Sequence, residues 1–421
     1  MFYDRKKLSN DELIAIYRNL LLPRMIEEKM LVLLRQGKIS KWFSGIGQEA
    51  ISVGAAMAFA PDEWVMPLHR NLGIFTGRGM PLHKLFMQWQ GNKDGYSKGR
   101  ERSFHFGSRQ HHICGMISHL GPQLTLADGA ALAYKLKQQP KAALAFTGDG
   151  GTSEGDFHEA LNVAAVWDLP VIFIIENNGY GLSTPVAEQY RCERLVDRAR
   201  GYGMEGVQID GNNVLTVLDT LKGVRQYCIE EQKPYLVECM TFRMRGHEEA
   251  SGTKYVPPQL FEEWKKKDPV ENFEFYLTQT GVLSLSDVAL IRTGYRDHIE
   301  AELALAMDAS EMMPDTDEEI RDVYAPTVGE EAGMKKGRFA PAPPSVPSLL
   351  STASHKEARF IDGIRDGLYQ SMHRHDNLVL MGQDIAEYGG AFKITEGFVQ
   401  EFGKARVRNT PLCESAILGT A

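Results

Sequence analysis

The chain is poor in cysteine, and its five cysteines (Cys114, Cys192, Cys228, Cys239, Cys413) form no C-x-x-C pair. That excludes a disulfide framework and a cysteine-rich metal site, and reads as thiols in a reducing compartment. No uninterrupted apolar run reaches the ~20 residues of a membrane-spanning helix. Basic residues do not dominate: 47 Lys and Arg against 55 Asp and Glu give a net charge of -8, so nothing draws the chain toward nucleic acid or an anionic membrane. The dinucleotide fingerprint G-x-G-x-x-G is missing, since residues 148–153 read GDGGTS. The start, MFYDRKKLSNDELIAIYRNLLLPRM, carries early acids and lacks a small-residue cleavage site, so it reads as the first helix of the fold and not as a leader.

What is present is an ordinary globular composition, 43% hydrophobic and 24% charged, enough for a substantial core. Residues 8–60 have helical spacing, opened by Ser9 with Glu12 three positions on, a capping-box pattern. From 140 to 240 the period changes. Short apolar runs (AALAFTG, PVIFIIEN, VQIDG, PYLVECMTFR) alternate with longer amphipathic stretches, which predicts an α/β fold with a doubly wound parallel sheet. Residues 261–322 are charged and helical. Residues 325–354 are rich in Pro, Ala, Gly and Ser and read as a linker. Order returns at 355–421, which is too short to close a second α/β domain. The expected organisation is a first module over 1–324, a linker over 325–354, and an incomplete second module over 355–421.

The chemistry concentrates in FTGDGGTSEGDFHEALNVAAVWDLPVIFIIENNGYGLSTP, residues 146–185. Strand, glycine turn, helix and strand make a βαβ unit, and such sheets bind ligands beyond the carboxyl ends of their strands. Asp149 follows one strand, and Asn177 and Asn178 end the next. The fold therefore brings a carboxylate and an amide oxygen together, and with a nearby backbone carbonyl they make half of an octahedral shell for a hard dication such as Mg²⁺. The glycines let backbone approach a phosphate, and the helix beginning near Asp156 aims its amides at that charge. Alone, GDG reads as a tight turn with a helix-capping acid. Paired with NN after the following strand it is much more specific.

GDG followed by NN roughly thirty residues later resembles the thiamine diphosphate motif. More narrowly, the segment resembles the E1 component of the 2-oxo acid dehydrogenase complexes, in its α-subunit. The similarity spans 10–320 and includes GQEA (47–50), HRNLGIF (69–75), ISHLGPQLTLADGAALA (117–133), GYGMEGVQIDGNN (201–213) and MTFRMRGH (240–247). From about 358 the chain resembles the start of the E1 β-subunit, as though α and β were fused. The resemblance implies Mg²⁺ ligation by the Asp149 and Asn178 side chains and the Tyr180 carbonyl. It further implies thiamine diphosphate contacts from His69, Arg70, Ser118, Leu120 and Gly150. Leu120 would be the wedge that bends the cofactor; taken alone it is a core leucine. His247, which alone reads as a solvated loop histidine, would serve the substrate carboxylate and proton transfer. Glu414, alone a capping residue, would hydrogen-bond the pyrimidine ring. Glu248 follows His247, and Ser251 is the nearby hydroxyl in that loop. The implied activity is oxidative decarboxylation of a 2-oxo acid, branched-chain ahead of pyruvate or acetoin-type substrates, with acyl transfer to a lipoyl-bearing E2 acyltransferase. A homo-oligomer or α2β2-like assembly in bacterial cytoplasm is expected. The alternative is a cofactor-binding or assembly subunit completed by another chain.

Overall fold

The computed structural model describes residues 1–115, 120–308, 315–324, 349 and 358–421. The linker expected over 325–354 lies outside the described residues except for Leu349, and Ser118 lies outside them too. The described chain divides into two compact units, Met1–Glu311 with Glu414–Ala421, and Met312–Cys413.

The first unit is built on five parallel strands. They are β1 (Val65–Met66), β2 (Ala143–Gly148), β3 (Val171–Asn177), and, after a small hairpin of β4 (Tyr180–Gly181) with β5 (Thr184–Pro185), β6 (Glu205–Asp210) and β7 (Tyr235–Met240). Their order is β1-β2-β3-β7-β6, all parallel. Every residue of β3, and all but the last of β2, is buried. That burial on both faces is what a helix-covered parallel sheet requires, and it explains why these strands appear in the sequence as unbroken apolar runs. β1 has only two residues, too few to leave a period, and the sequence does not announce it. The same holds for the β4–β5 hairpin.

Register decides where the chemistry falls. Gly148 of β2 pairs with Glu176 of β3, and Asn177 of β3 pairs with Met240 of β7. The first residues past these three central strands, Asp149, Asn178 and Thr241, therefore emerge along one edge of the sheet.

Helices cover the faces. The long Asn10–Arg35 helix starts at the predicted capping box, with Ser9 accepting from the Glu12 amide at 3.2 Å and Glu12 from the Ser9 amide at 2.8 Å. Its buried face includes Leu13, Ile16, Tyr17, Leu20 and Met30. Behind β2, a 3-10 turn (Gly150–Ser153) precedes the Gly155–Val166 helix. The amides nearest Asp149 thus belong to this turn, a refinement of the expectation that the helix itself begins there. The Pro122–Leu136 helix packs on the Glu414–Thr420 helix in the same unit. Their crossing is close: a Cβ on Gly129 would stand 2.5 Å from the Thr420 carbonyl oxygen. Glu159 accepts from the Ala416 amide at 3.0 Å, capping that terminal helix.

The second unit has its own small core of Met372, Ala386, Phe398, Val399 and Val407. Its Phe360–Arg374 helix leads to β8 (Leu380–Gly382), which pairs in parallel with β9 (Val407–Asn409). Among the described residues, no helix is long and apolar enough to cross a membrane.

Candidate active site

At the carboxyl edge of the sheet a recess of about 70 Å³ opens beside a wider cavity of about 500 Å³. They share His69, Leu120, Gly150, Gly181, Leu182 and His247. Arg70, Asp149, Asn178 and Tyr180 line the recess, so the structure gathers eight of the predicted residues at one place. Glu414 is exposed at the start of the terminal helix and lines neither cavity.

Asp149 is only 1% exposed. Its Oδ2 accepts from Gln189 Nε2 at 3.0 Å, whereas its Oδ1 is buried with no hydrogen-bond partner among the described residues. Burial raises its pKa; the Gln189 hydrogen bond, the nearby amides of Asp149 and Asn178, and Arg243 oppose that rise. A buried carboxylate oxygen left without a partner is costly, and a cation would satisfy it.

The two asparagines divide their work. Asn177 turns into the core, donating to Glu238 at 2.7 Å and to the Tyr190 hydroxyl at 3.1 Å. Asn178 lines the recess, its Oδ1 accepting the Tyr180 amide at 3.2 Å and keeping a further lone pair. Asp149, Asn178 and the Tyr180 backbone thus stand at one corner, a mixed oxygen set suited to Mg²⁺. The described residues hold no cluster of three or more His, Cys, Asp or Glu.

The anion side is equally marked. Arg70 is buried, donating from Nη1 to the Ser44 carbonyl at 2.7 Å and from Nη2 to His69 Nε2 at 2.8 Å and the His247 carbonyl at 3.3 Å. Arg243, also buried, donates to the Leu182 carbonyl at 2.8 Å and the Tyr255 hydroxyl at 2.9 Å. Neither guanidinium donates to a carboxylate among the described residues. Burial, and then Arg243, lower the Arg70 pKa to about 10. Glu176 and Glu27 offset part of the Arg70 charge, but neither guanidinium spends its donors on a carboxylate among the described residues, which leaves donors for an anion. Gly150 sits against the β4–β5 hairpin so closely that a Cβ there would lie 2.8 Å from Gly181 Cα. Backbone, and no side chain, borders the recess at that point.

Leu120 is 40% exposed and lines both cavities, so it is not a core leucine. His247 lies beside His69 and Phe43, ring centroids 5.5 and 5.7 Å away. Burial first, then the charges of Arg70, Arg243 and Lys41, lower its pKa to about 4. It is therefore a neutral imidazole at ordinary pH.

Several residues at this site escaped the sequence reading. Glu176, fully buried and raised to about 7 by burial, accepts from Asn71 Nδ2 at 2.6 Å under the recess. Arg243 lies inside the MTFRMRGH segment, but nothing there singles it out. Gln189 and Lys41 have none, being placed purely by tertiary structure. Lys41 is the one Lys or Arg among the residues lining the wider cavity, which include no Asp or Glu.

The chain is similar to known proteins over most of its length. The family model described as Dehydrogenase E1 component matches residues 17–315. The chain is 37% identical over 310 residues to the 2-oxoisovalerate dehydrogenase subunit alpha of Bacillus subtilis, covering 73% of this chain and 93% of that protein. It is 36% identical over 293 residues to 2-oxoisovalerate dehydrogenase subunit alpha 1 of Arabidopsis thaliana, covering 69% of this chain and 61% of that protein. The human mitochondrial alpha subunit is 33% identical over 277 residues, 65% of this chain and 62% of its own length. The match thus spans less than two thirds of the plant and human relatives and nearly all of the bacterial one. With most of its length matched by the family model, and the mixed oxygen corner and buried arginines at the carboxyl edge of its sheet, this chain belongs to the dehydrogenase E1 component family, a family of oxidoreductases.

Proposed function

We propose that this chain is the E1 component of a thiamine diphosphate- and Mg²⁺-dependent 2-oxo acid dehydrogenase acting on a branched-chain 2-oxo acid. The observation that carries the reading is the Asp149 carboxylate, buried with one oxygen lacking a partner among the described residues, in a recess also lined by Asn178 and by the buried Arg70 and Arg243, neither of which donates to a carboxylate there. The residues fit the cofactor. Asp149, Asn178 and the Tyr180 carbonyl would hold Mg²⁺. The Gly150 amide, Arg70 and Arg243 would hold the diphosphate, with His69 beside Arg70 and Leu120 against the cofactor's bend. When bound, the thiazolium supplies a nucleophilic carbon and an electron sink for loss of CO₂.

The chain's own residues do the rest. Apolar Phe43, Leu120 and Leu182 shape the wider cavity and exclude water from a branched aliphatic chain. Lys41 gives that cavity an uncompensated positive charge suited to a carboxylate. Neutral His247 takes up or returns a proton. Glu414 would hydrogen-bond the pyrimidine ring. That role rests on the resemblance alone, since Glu414 is exposed and lines neither cavity. Ser118, assigned to the pyrimidine, lies outside the described residues. Residues 1–324 would form the α-like module, 325–354 the linker and 355–421 the beginning of a β-like module in a fused chain. The acyl group would pass to the lipoyl group of an E2 acyltransferase within an oligomeric complex.

The experiment is a panel of 2-oxoisovalerate, pyruvate and acetoin, assayed with thiamine diphosphate, Mg²⁺ and an artificial electron acceptor. Preference for 2-oxoisovalerate supports the substrate; preference for pyruvate or acetoin replaces it. Cofactor binding with no turnover of any of them indicates a subunit completed by another chain.

A further inference from the structure

The two histidines at the junction of the cavities are held in different ways. His247 offers its ring with no hydrogen-bond partner among the described residues; only its carbonyl is engaged, by Arg70. His69 is fixed, because Arg70 Nη2 lies 2.8 Å from its Nε2. A guanidinium carries donors alone, so Nε2 must accept. The single proton of the neutral ring then sits on Nδ1, the tautomer a free histidine side chain favours less.

Arg70 cannot turn away to release this arrangement. It is 5% exposed and anchored at the Ser44 and His247 carbonyls. Nor can His69 readily gain a second proton. Its accepting lone pair faces a cation, and its other charged or titratable neighbours are His247, His105 and Arg243, which with burial hold its proton affinity well below the usual histidine range. Phe43 covers a further side, its ring centroid 4.9 Å away. Among the described residues Nδ1 has no partner, and the ring lines both cavities.

We propose that His69 is a fixed hydrogen-bond donor to an oxygen of the 2-oxo acid, locked by Arg70 in the Nδ1–H tautomer, and that proton exchange at this junction is left to His247. The inference rests on the functional reading above for its ligand, and on geometry alone for its tautomer. Donation from a neutral N–H to a carboxylate or carbonyl oxygen orients the substrate without moving a proton.

The test uses the full chain with ¹⁵N-labelled histidine. Long-range proton–nitrogen spectra should assign His69 as Nδ1–H, unchanged between about pH 5 and 8 where ordinary histidines titrate. Sodium 2-oxoisovalerate, added without cofactor so that nothing turns over, should shift the Nδ1 signal. His69→Asn places an amide donor near the Nδ1 position and should keep 2-oxoisovalerate affinity within a few-fold. His69→Phe fills the space without a donor and should weaken it about tenfold or more. An Nε2–H tautomer, an ordinary titration, no binding of 2-oxoisovalerate to the wild type, or equal affinity in His69→Phe overturns the inference. Failure to bind thiamine diphosphate would overturn the functional reading instead, while the tautomer measurement, which needs no cofactor, stands apart from it.

Discussion

Replacing Asp149 by Asn separates metal binding from folding. In the apoprotein Asp149 contributes little that an amide would lose. Its Oδ2 accepts from Gln189, and the Asn oxygen can accept the same hydrogen bond, while the Oδ1 has no partner among the described residues. The exchange removes a buried charge, so thermal stability should stay within a few degrees of wild type, equivalent to about 1 kcal/mol. The holoprotein should behave oppositely. Asp149 is the sole anionic ligand of the proposed corner, and a hydrogen bond or contact to a charged group contributes up to about 3 kcal/mol, roughly a hundredfold in affinity. Calorimetry of thiamine diphosphate binding in Mg²⁺ should show that loss, and the stabilisation that Mg²⁺ and cofactor confer together on the wild type should disappear. Unchanged Mg²⁺-dependent affinity in a folded Asp149→Asn protein would refute the metal corner.

His247 should not titrate as an ordinary histidine. Because the folded protein lowers its pKa to about 4, the unfolded chain binds the extra proton first, so its contribution to stability is present above pH ~6.5 and is lost as pH falls toward 4; NMR titration of its ring checks this. Lys41→Gln should lower kcat/KM for a 2-oxo acid a few-fold, leave kcat nearly unchanged, and flatten the dependence of kcat/KM on ionic strength, because the residue acts as a screened charge at the cavity mouth. Gly150→Ala drives a Cβ toward Gly181 Cα and should cost about 1–3 kcal/mol in chemical denaturation while weakening cofactor binding.

Much of this site was legible from residues 146–185 because a parallel sheet imposes it. Fully buried strands must be apolar throughout, so β2 and β3 appear as runs, and polar residues directly after them fall at the ligand edge. Asp149 and the Asn177–Asn178 pair follow from that. The choice of Asn178 over Asn177 rests on the tie between Asn177 and Glu238, two strands that only the sheet order makes neighbours. Arg70 and His247 were reached through motifs; what holds them, the Ser44 carbonyl and the ring of Phe43, comes from loops with no period to read. Gln189 and Lys41 were invisible for the same reason. Leu120 illustrates the opposite case: its exposure into the cavities, and not its hydrophobicity, separates it from a core leucine.

The most direct measurement is release of labelled CO₂ from 2-oxoisovalerate carrying the label in its carboxyl group, using the full chain with and without thiamine diphosphate and Mg²⁺. The account predicts release that requires both, is abolished by EDTA, and in Asp149→Asn needs about a hundredfold more cofactor. Tight cofactor binding with no labelled CO₂ from this or any other 2-oxo acid would contradict it.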